Sequence, residues 1–463
     1  MITTPEDTEP IEVSYRRISQ IALPIMASTA SYTIMLFADR LFLSRVGKHE
    51  LAAAMSGGLS SFVLCSFFVG LVGYTSALVS QYYGAKDYRM CTRSVIQSVI
   101  LSAASYPILL AFIPIIQYVF ILAGQDPKLT ENATAYARIL LIGSFFLVAR
   151  TAASAFFIGI GKTRVIMLSN VAGTVVNIPL NYVLIFGKFG FPELGIRGAA
   201  IGTVCSSFLV FVLLFVFYLR ETSREPFRVE HRMRYEPLIL RRLLRFGTPA
   251  GVAPFLNWFA FNVFVQVVHS YGPDIAAAAT IAFNWDAVSF IPMLGLGMTA
   301  STVVGQQIGA RDHDGAQRAA YMVIRLALLY GCAMVALFFG FANSLTSLFG
   351  SGFESSGAQI TLMSADMLRL LAIHVPAIAA KLVLGGALRA AGDTVWSMWV
   401  SVAIHWAMGL GVIVLVRVFD AHPYVAWSTL IAMNYAHFLA VWYRFRSGKW
   451  REKQLIGKMA NDH

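Results

Sequence analysis

Asp39 stands inside an unbroken apolar run, Leu36-Phe37-Ala38-Asp39-Arg40-Leu41-Phe42-Leu43. A carboxylate at membrane depth costs roughly 2.5–3.5 kcal/mol on insertion scales, so one found there is expected to face a polar cavity and bind a proton or a small cation. Two amides, Asn177 and Asn181, lie four residues apart in a later apolar run and so share one helix face. Thr203 follows early in the next run. At ~1.5 Å of rise per residue, Asp39, Asn181 and Thr203 all fall about 9–10 Å inside their span ends. A carboxylate, two amides and a hydroxyl at one level make an oxygen-rich site for ion coupling. Two structural roles compete with that reading. Asp39 can pair with its neighbour Arg40, and the Asn and Thr residues can simply bond across packed helices.

The second half of the chain offers a different set. Asp286 sits near mid-span beside Asn284 and Trp285, and Asn257 precedes them. Arg150 and Lys381 are cations placed deep in apolar runs. Functionally they suit an anionic substrate group or neutralise carboxylates, Asp286 being a partner open to Lys381. Structurally they suit snorkelling or bonds to backbone carbonyls. Tyr32, Phe37, Trp258, Trp285, Phe261 and Phe264 are aromatics that can meet a cation in a cavity or merely pack. His374, His405 and His437 fall in spans without ligand spacing, and the four cysteines form no CxxC pair, so no metal site or disulfide is expected.

These groups need a scaffold, and composition says which. The 463 residues are 57% hydrophobic and 13% charged, against ~45–50% and ~25% in soluble domains. Mean hydropathy is +0.66. Apolar runs of about 20 residues, each long enough to cross about 30 Å of hydrocarbon, recur near 18–45, 51–80, 94–123, 133–158, 163–187, 196–220, 243–270, 274–305, 319–349, 363–388, 394–418 and 423–444. Twelve spans are therefore expected, with short turns at 124–127, 159–162, 271–274 and 420–423. The net charge of +12 is not a nucleic-acid footprint. Alternating loops put 24 of the 36 Lys and Arg on one side of the membrane and seven on the other. That bias places both termini in the cytoplasm. The acidic first ten residues and the long span that follows do not have the form of a cleaved signal peptide.

The chain repeats itself. A shift of 225 residues carries Pro24 onto Pro249, Gly47 onto Gly272, Ala52-Ala53-Ala54 onto Ala277-Ala278-Ala279, Gln81 onto Gln306, Gly84-Ala85 onto Gly309-Ala310 and Arg93 onto Arg318. A shift of 231 carries Arg138 onto Arg369, Arg150 onto Lys381, Gly161 onto Gly392 and Thr163 onto Thr394. Each half starts on the same side and has six spans, so the repeats are parallel about an axis along the membrane normal. The expected organisation is an N-lobe (1–225), a basic cytoplasmic linker (226–242) and a C-lobe (243–463) ending in a basic tail. Together they form an all-α membrane bundle with a substrate cavity between the lobes.

Several motifs carry a family resemblance: Leu23-Pro24, Asp39, and Gly47 with Leu51-Ala52-Ala53; Gly84-Ala85-Lys86-Asp87; Asn177-Ile178-Pro179-Leu180-Asn181-Tyr182; Gly195-Ile196-Arg197-Gly198-Ala199-Ala200-Ile201-Gly202-Thr203; Val304-Gly305-Gln306-Gln307; and Leu388-Arg389-Ala390-Ala391-Gly392-Asp393-Thr394. The chain resembles the prokaryotic type of MATE (multidrug and toxic compound extrusion) transporter, within the wider multidrug/oligosaccharidyl-lipid/polysaccharide exporter superfamily. The resemblance implies two six-helix lobes around a V-shaped cavity, and export of organic cations or drugs in exchange for protons or sodium. It assigns the first-helix Asp to Asp39, the fifth-helix polar pair to Asn177 and Asn181, and the sixth-helix Thr to Thr203. Relatives with a C-lobe sodium site carry carboxylates where this chain has Asn257 and Ile378, so that site is expected to be absent. Asp286 matches an acidic position in the eighth helix of many relatives.

The function expected is secondary antiport of organic cations, with protons rather than sodium as the coupling ion, because Asp39 is the one N-lobe carboxylate at its level. Protonation of Asp39 would change the bonding of spans 1, 5 and 6 and bend span 1 at Pro24, displacing substrate outward. The alternative is a flippase for a lipid-linked oligosaccharide or cell-wall precursor, which Arg150 and Lys381 favour. No enzyme motif is present: HExxH, GxSxG, P-loop and GxGxxG are all missing from the sequence. A monomer in the inner membrane is expected, in contact with lipid and small organic cations and not with nucleic acid, and with no cofactor besides the coupling ion.

Overall fold

The computed structural model describes residues 12–122, 127–229, 235–350 and 357–453. The acidic extreme N-terminus, the turn expected at 124–127 apart from Pro127, the middle of the linker and the end of the basic tail lie outside the described residues. Helices form almost everything else, because a backbone in lipid must satisfy its own N–H and C=O groups. In chain order they are α1 (Tyr15–Val46), α2 (Lys48–Gly73), α3 (Thr75–Gly84), α4 (Tyr88–Ala111), α5 (Ile113–Leu122), α6 (Pro127–Ile142), α7 (Ser144–Ile160), α8 (Thr163–Phe186), α9 (Gly195–Glu221), α10 (Pro237–His269), α11 (Pro273–Gly309), α12 (His313–Gly350), α13 (Gly357–Ala390), α14 (Thr394–Arg417) and α15 (Pro423–Arg446).

The pairs α2–α3, α4–α5 and α6–α7 are each one broken span, which gives twelve spans in two lobes of six. Among the described residues, and with α2–α3 and α4–α5 each taken as one, ten helices are long and apolar enough to cross a membrane, and the bent α6–α7 pair makes eleven. The twelfth, α15, has 24 residues. It falls short on hydropathy because its apolar stretch holds Asn434 and His437.

Sequence chemistry explains the punctuation. Pro114 has no amide proton and crowds the carbonyl one turn back, so span 3 breaks at Phe112. Span 4 bends by 45° at Gly143. There α9 comes so close that a Cβ would lie 2.3 Å from the Val204 side chain. The repeat-related turns at Gly161 and Gly392 both take left-handed backbone, φ +81° and +84°, which glycine adopts without steric cost. Asp87 caps α4 by accepting from the Met90 amide at 3.1 Å.

The lobes meet where α1 and α3 pack on α11 and where α2 packs on α10. The tightest crossing joins repeat mates. A Cβ on Gly84 would lie 1.9 Å from the Gln306 carbonyl oxygen, and one on Gly309 would lie 2.0 Å from that of Gln81. Hydrogen bonds close the same end. The Gln81 side chain donates to the Ala390 carbonyl (2.6 Å), Arg17 donates to the Gln306 side chain (2.6 Å), and Gln306 donates to the Gly159 carbonyl (2.8 Å). The two lobes are thus sealed together at the face that carries the start of α1 and the end of α15.

Candidate functional site

The N-lobe site is built along the seam between α1 and α8, which run in the same direction. Thr163 donates to the Ile21 carbonyl (2.9 Å), Asn170 to Ser28 Oγ (2.7 Å), Ser31 to Thr174 Oγ1 (2.9 Å) and Asn181 Nδ2 to Asp39 Oδ1 (2.5 Å). Each pair is 142 or 143 residues apart, as two parallel helices in fixed register require. Asp39 lies at the end of this ladder farthest from the sealed face.

Asp39 is 5% exposed, and Asn177 and Asn181 are fully buried. Asn181 Nδ2 also donates to Asn177 Oδ1 at 3.2 Å, so one amide nitrogen ties the pair to the carboxylate. Gly202 on α9 makes room for this arrangement, since a Cβ there would lie 1.6 Å from Asn181 Oδ1. Thr203 is brought to the same region but turns its hydroxyl to the Ala199 carbonyl, 3.0 Å away in its own helix. Its other neighbour is the buried Tyr136 of α6, which also lies within electrostatic range of Asp39 and Tyr32. Tyr136 and Gly202 are site residues that the sequence reading missed. Tyr136 has no charge and no motif to mark it.

Arg40 is not the partner of Asp39. Neighbouring residues on a helix point apart, and Arg40 crosses to the other lobe, where it donates to Asn284 Oδ1 at 3.4 Å. Pro24 is buried inside a continuous α1.

In the C-lobe, the partner of Asp286 is His374, Nε2 to Oδ1 at 3.2 Å, rather than Lys381. Lys381 bonds instead to Asn434 Oδ1. Asn257 donates to Ser401 Oγ (2.7 Å), and the rings of His405 and His437 meet edge to face with centroids 5.6 Å apart. Two of the three histidines without ligand spacing in sequence, His405 and His437, therefore gather near Lys381, whose charge reaches them and Asp286. Arg150 lies near Tyr32 and, among the described residues, has neither hydrogen bond nor ion pair. Of the aromatics, Phe264 is fully buried and Trp285 donates to the Leu345 carbonyl (3.1 Å), while Phe37 and Tyr32 are exposed.

Two six-helix lobes, each with buried polar and charged groups, define a polytopic membrane protein of the two-lobed transporter class. Comparison with known proteins agrees. The chain belongs to the MatE family, whose model matches it twice, at residues 24–183 and 249–414. The two matches begin 225 residues apart, the spacing of the internal repeat. A probable multidrug resistance protein, YoeA of Bacillus subtilis, is 26% identical over 92% of this chain and 94% of its own length. A probable multidrug resistance protein, NorM of Thermotoga maritima, is 27% identical over 95% and 94%. Among solved structures, a MOP superfamily transporter from Pyrococcus furiosus superposes with a TM-score of 0.85 at 23% identity, covering 95% of this chain and 97% of its own.

Proposed function

We propose that this protein is a secondary antiporter that exports organic cations and drugs in exchange for protons. The observation that carries the reading is the buried Asp39, which is held by an amide rather than by a cation. Bound to no counter-charge, it is free to exchange a proton for the positive charge of a substrate. The amide N–H that faces it supports protons over sodium, because a donor suits a carboxylate and repels a bare cation. Asp39 has no second carboxylate among the described residues bonded to it, whereas a desolvated sodium ion needs more formal negative charge. The similarity to probable multidrug resistance proteins supports drugs as the substrate class.

The cycle follows from the seam. Facing outside, Asp39 takes a proton and its bond to Asn181 weakens. The grip between α1 and α8 loosens at that end, α1 bends at Pro24, and substrate leaves. Facing inside, the proton is released and a cation is favoured again. The positive-inside bias supports a cytoplasmic position for the sealed face, and on that reading this conformation opens outward. Such a protein works as a monomer in the inner membrane with both termini in the cytoplasm, and it performs no catalysis.

Ethidium efflux from a drug-sensitive bacterial strain tests this. Wild type and Asp39→Asn are compared with and without sodium, and with a protonophore. Efflux that survives sodium removal, collapses with the protonophore and disappears in the variant supports the proposal. Efflux that needs sodium, or persists in Asp39→Asn, refutes the coupling. The absence of wild-type efflux from cells that hold the protein in their membrane would favour a flippase.

A further inference from the structure

The C-lobe interior holds a positive charge, Lys381, that no carboxylate among the described residues touches by a hydrogen bond or ion pair. Lys381 lies deep in α13 and is half-buried. Its hydrogen-bond partner is the neutral amide of Asn434. Asp286, the carboxylate whose charge reaches it, is engaged by His374. An ammonium carries three donors, so two remain for a ligand. Its surroundings supply more. His405 uses Nδ1 on the Ser401 carbonyl at 2.7 Å. The ring facing it, His437, has a buried Nδ1 without a partner. Asn257 has a buried, unpartnered Oδ1. His374, 1% exposed, likewise leaves its buried Nδ1 unpartnered. Buried polar groups are rarely left unpaired in a folded protein. Four spans carry these groups, and among the described residues Asn257 Oδ1, His374 Nδ1 and His437 Nδ1 are left unsatisfied.

We propose that Lys381, Asn434, His405 and His437 form a subsite for the carboxylate of the transported molecule. Single formal charge decides the ligand class. One ammonium flanked by imidazoles and an amide matches a monoanionic carboxylate. A phosphate diester or pyrophosphate would call for the bidentate guanidinium geometry that this cluster lacks. The favoured substrate is then zwitterionic, with its cationic end drawn to Asp39 of the N-lobe and its acidic end taken by Lys381 of the C-lobe. This rests on the export reading and sharpens its substrate class.

Rhodamine 110, which has a free carboxylate, and rhodamine 123, its methyl ester, isolate the interaction. Binding of each dye to the purified full-length protein is measured by fluorescence anisotropy for wild type, Lys381→Met, Lys381→Arg and His437→Gln. Thermal melting confirms that each variant is folded. The ratio of rhodamine 110 to rhodamine 123 affinity is expected to fall tenfold or more in Lys381→Met, to fall by a smaller factor in His437→Gln, and to be restored in Lys381→Arg. An unchanged ratio in the folded Lys381→Met protein overturns the subsite, and so does equal weakening of both dyes. Inorganic phosphate that displaces rhodamine 110 at lower concentration than acetate also overturns the carboxylate assignment. Dye transport in proteoliposomes is scored separately. Failure to move either dye counts against export, while the binding ratio still decides the subsite.

Discussion

The two lobes share a frame and differ in what fills it. Asp39 of the N-lobe corresponds, by the 225-residue shift, to Phe264 of the C-lobe. Asn177 and Asn181 correspond, by the 231-residue shift, to Met408 and Val412. In the C-lobe these positions are dry. Phe264 is fully buried against Phe283 and Trp427, with ring centroids 6.4 and 6.0 Å away. The polar groups are displaced along the same helices instead. Asn170 and Thr174, which bond to α1 in the N-lobe, become Ser401 and His405 beside Lys381. One lobe concentrates an acid where the other packs rings. A duplicated fold can therefore divide ion coupling and substrate contact between its halves.

That comparison fails if the acid is dispensable. Asp39→Asn is expected to cut proton-driven efflux at least about tenfold, since an amide of the same size holds no proton. Everted vesicles with imposed pH gradients measure it. Melting temperature should change little, because the new amide can still bond to Asn181.

A second experiment moves the acid to the other lobe. Phe264→Asp places a carboxylate among rings with no amide partner, at a cost of roughly 2.5–3.5 kcal/mol. Low yield and a lowered melting temperature are expected. Efflux restored in the Asp39→Asn/Phe264→Asp double variant would show that the lobes are interchangeable and would break the contrast.

Gly202→Ala sharpens it from the other side. The added methyl must push Asn181 away from Asp39, an overpacking cost of about 1–3 kcal/mol. Efflux should fall severalfold although every polar site residue remains, as a dose-response in the drug-sensitive strain would show.

The smallest effect is expected at the bridge between the lobes. Arg40→Ala removes one exposed 3.4 Å bond to Asn284, which contributes less than about 1 kcal/mol. Efflux within about twofold of wild type is expected for a term of that size. Complete loss would mean that Arg40 acts on Asp39 during the cycle.

Sequence alone determined the membrane class, the twelve spans and the repeat, and it singled out Asp39, Asn177, Asn181 and Thr203 as candidates. Hydrophobic run length, charge bias and helical rise are properties of local sequence, and lipid leaves the backbone little other choice. Tertiary structure decided which of these groups meet. The register of α1 against α8 gave Asp39 to Asn181 instead of Arg40. The packing of α11 on α13 gave Asp286 to His374 instead of Lys381. Tyr136, Gly202, Asn434, His405 and His437 joined the sites only through such contacts. Partners that lie 53 to 142 residues apart are chosen by how helices pack and rotate, and no single stretch of sequence encodes that choice.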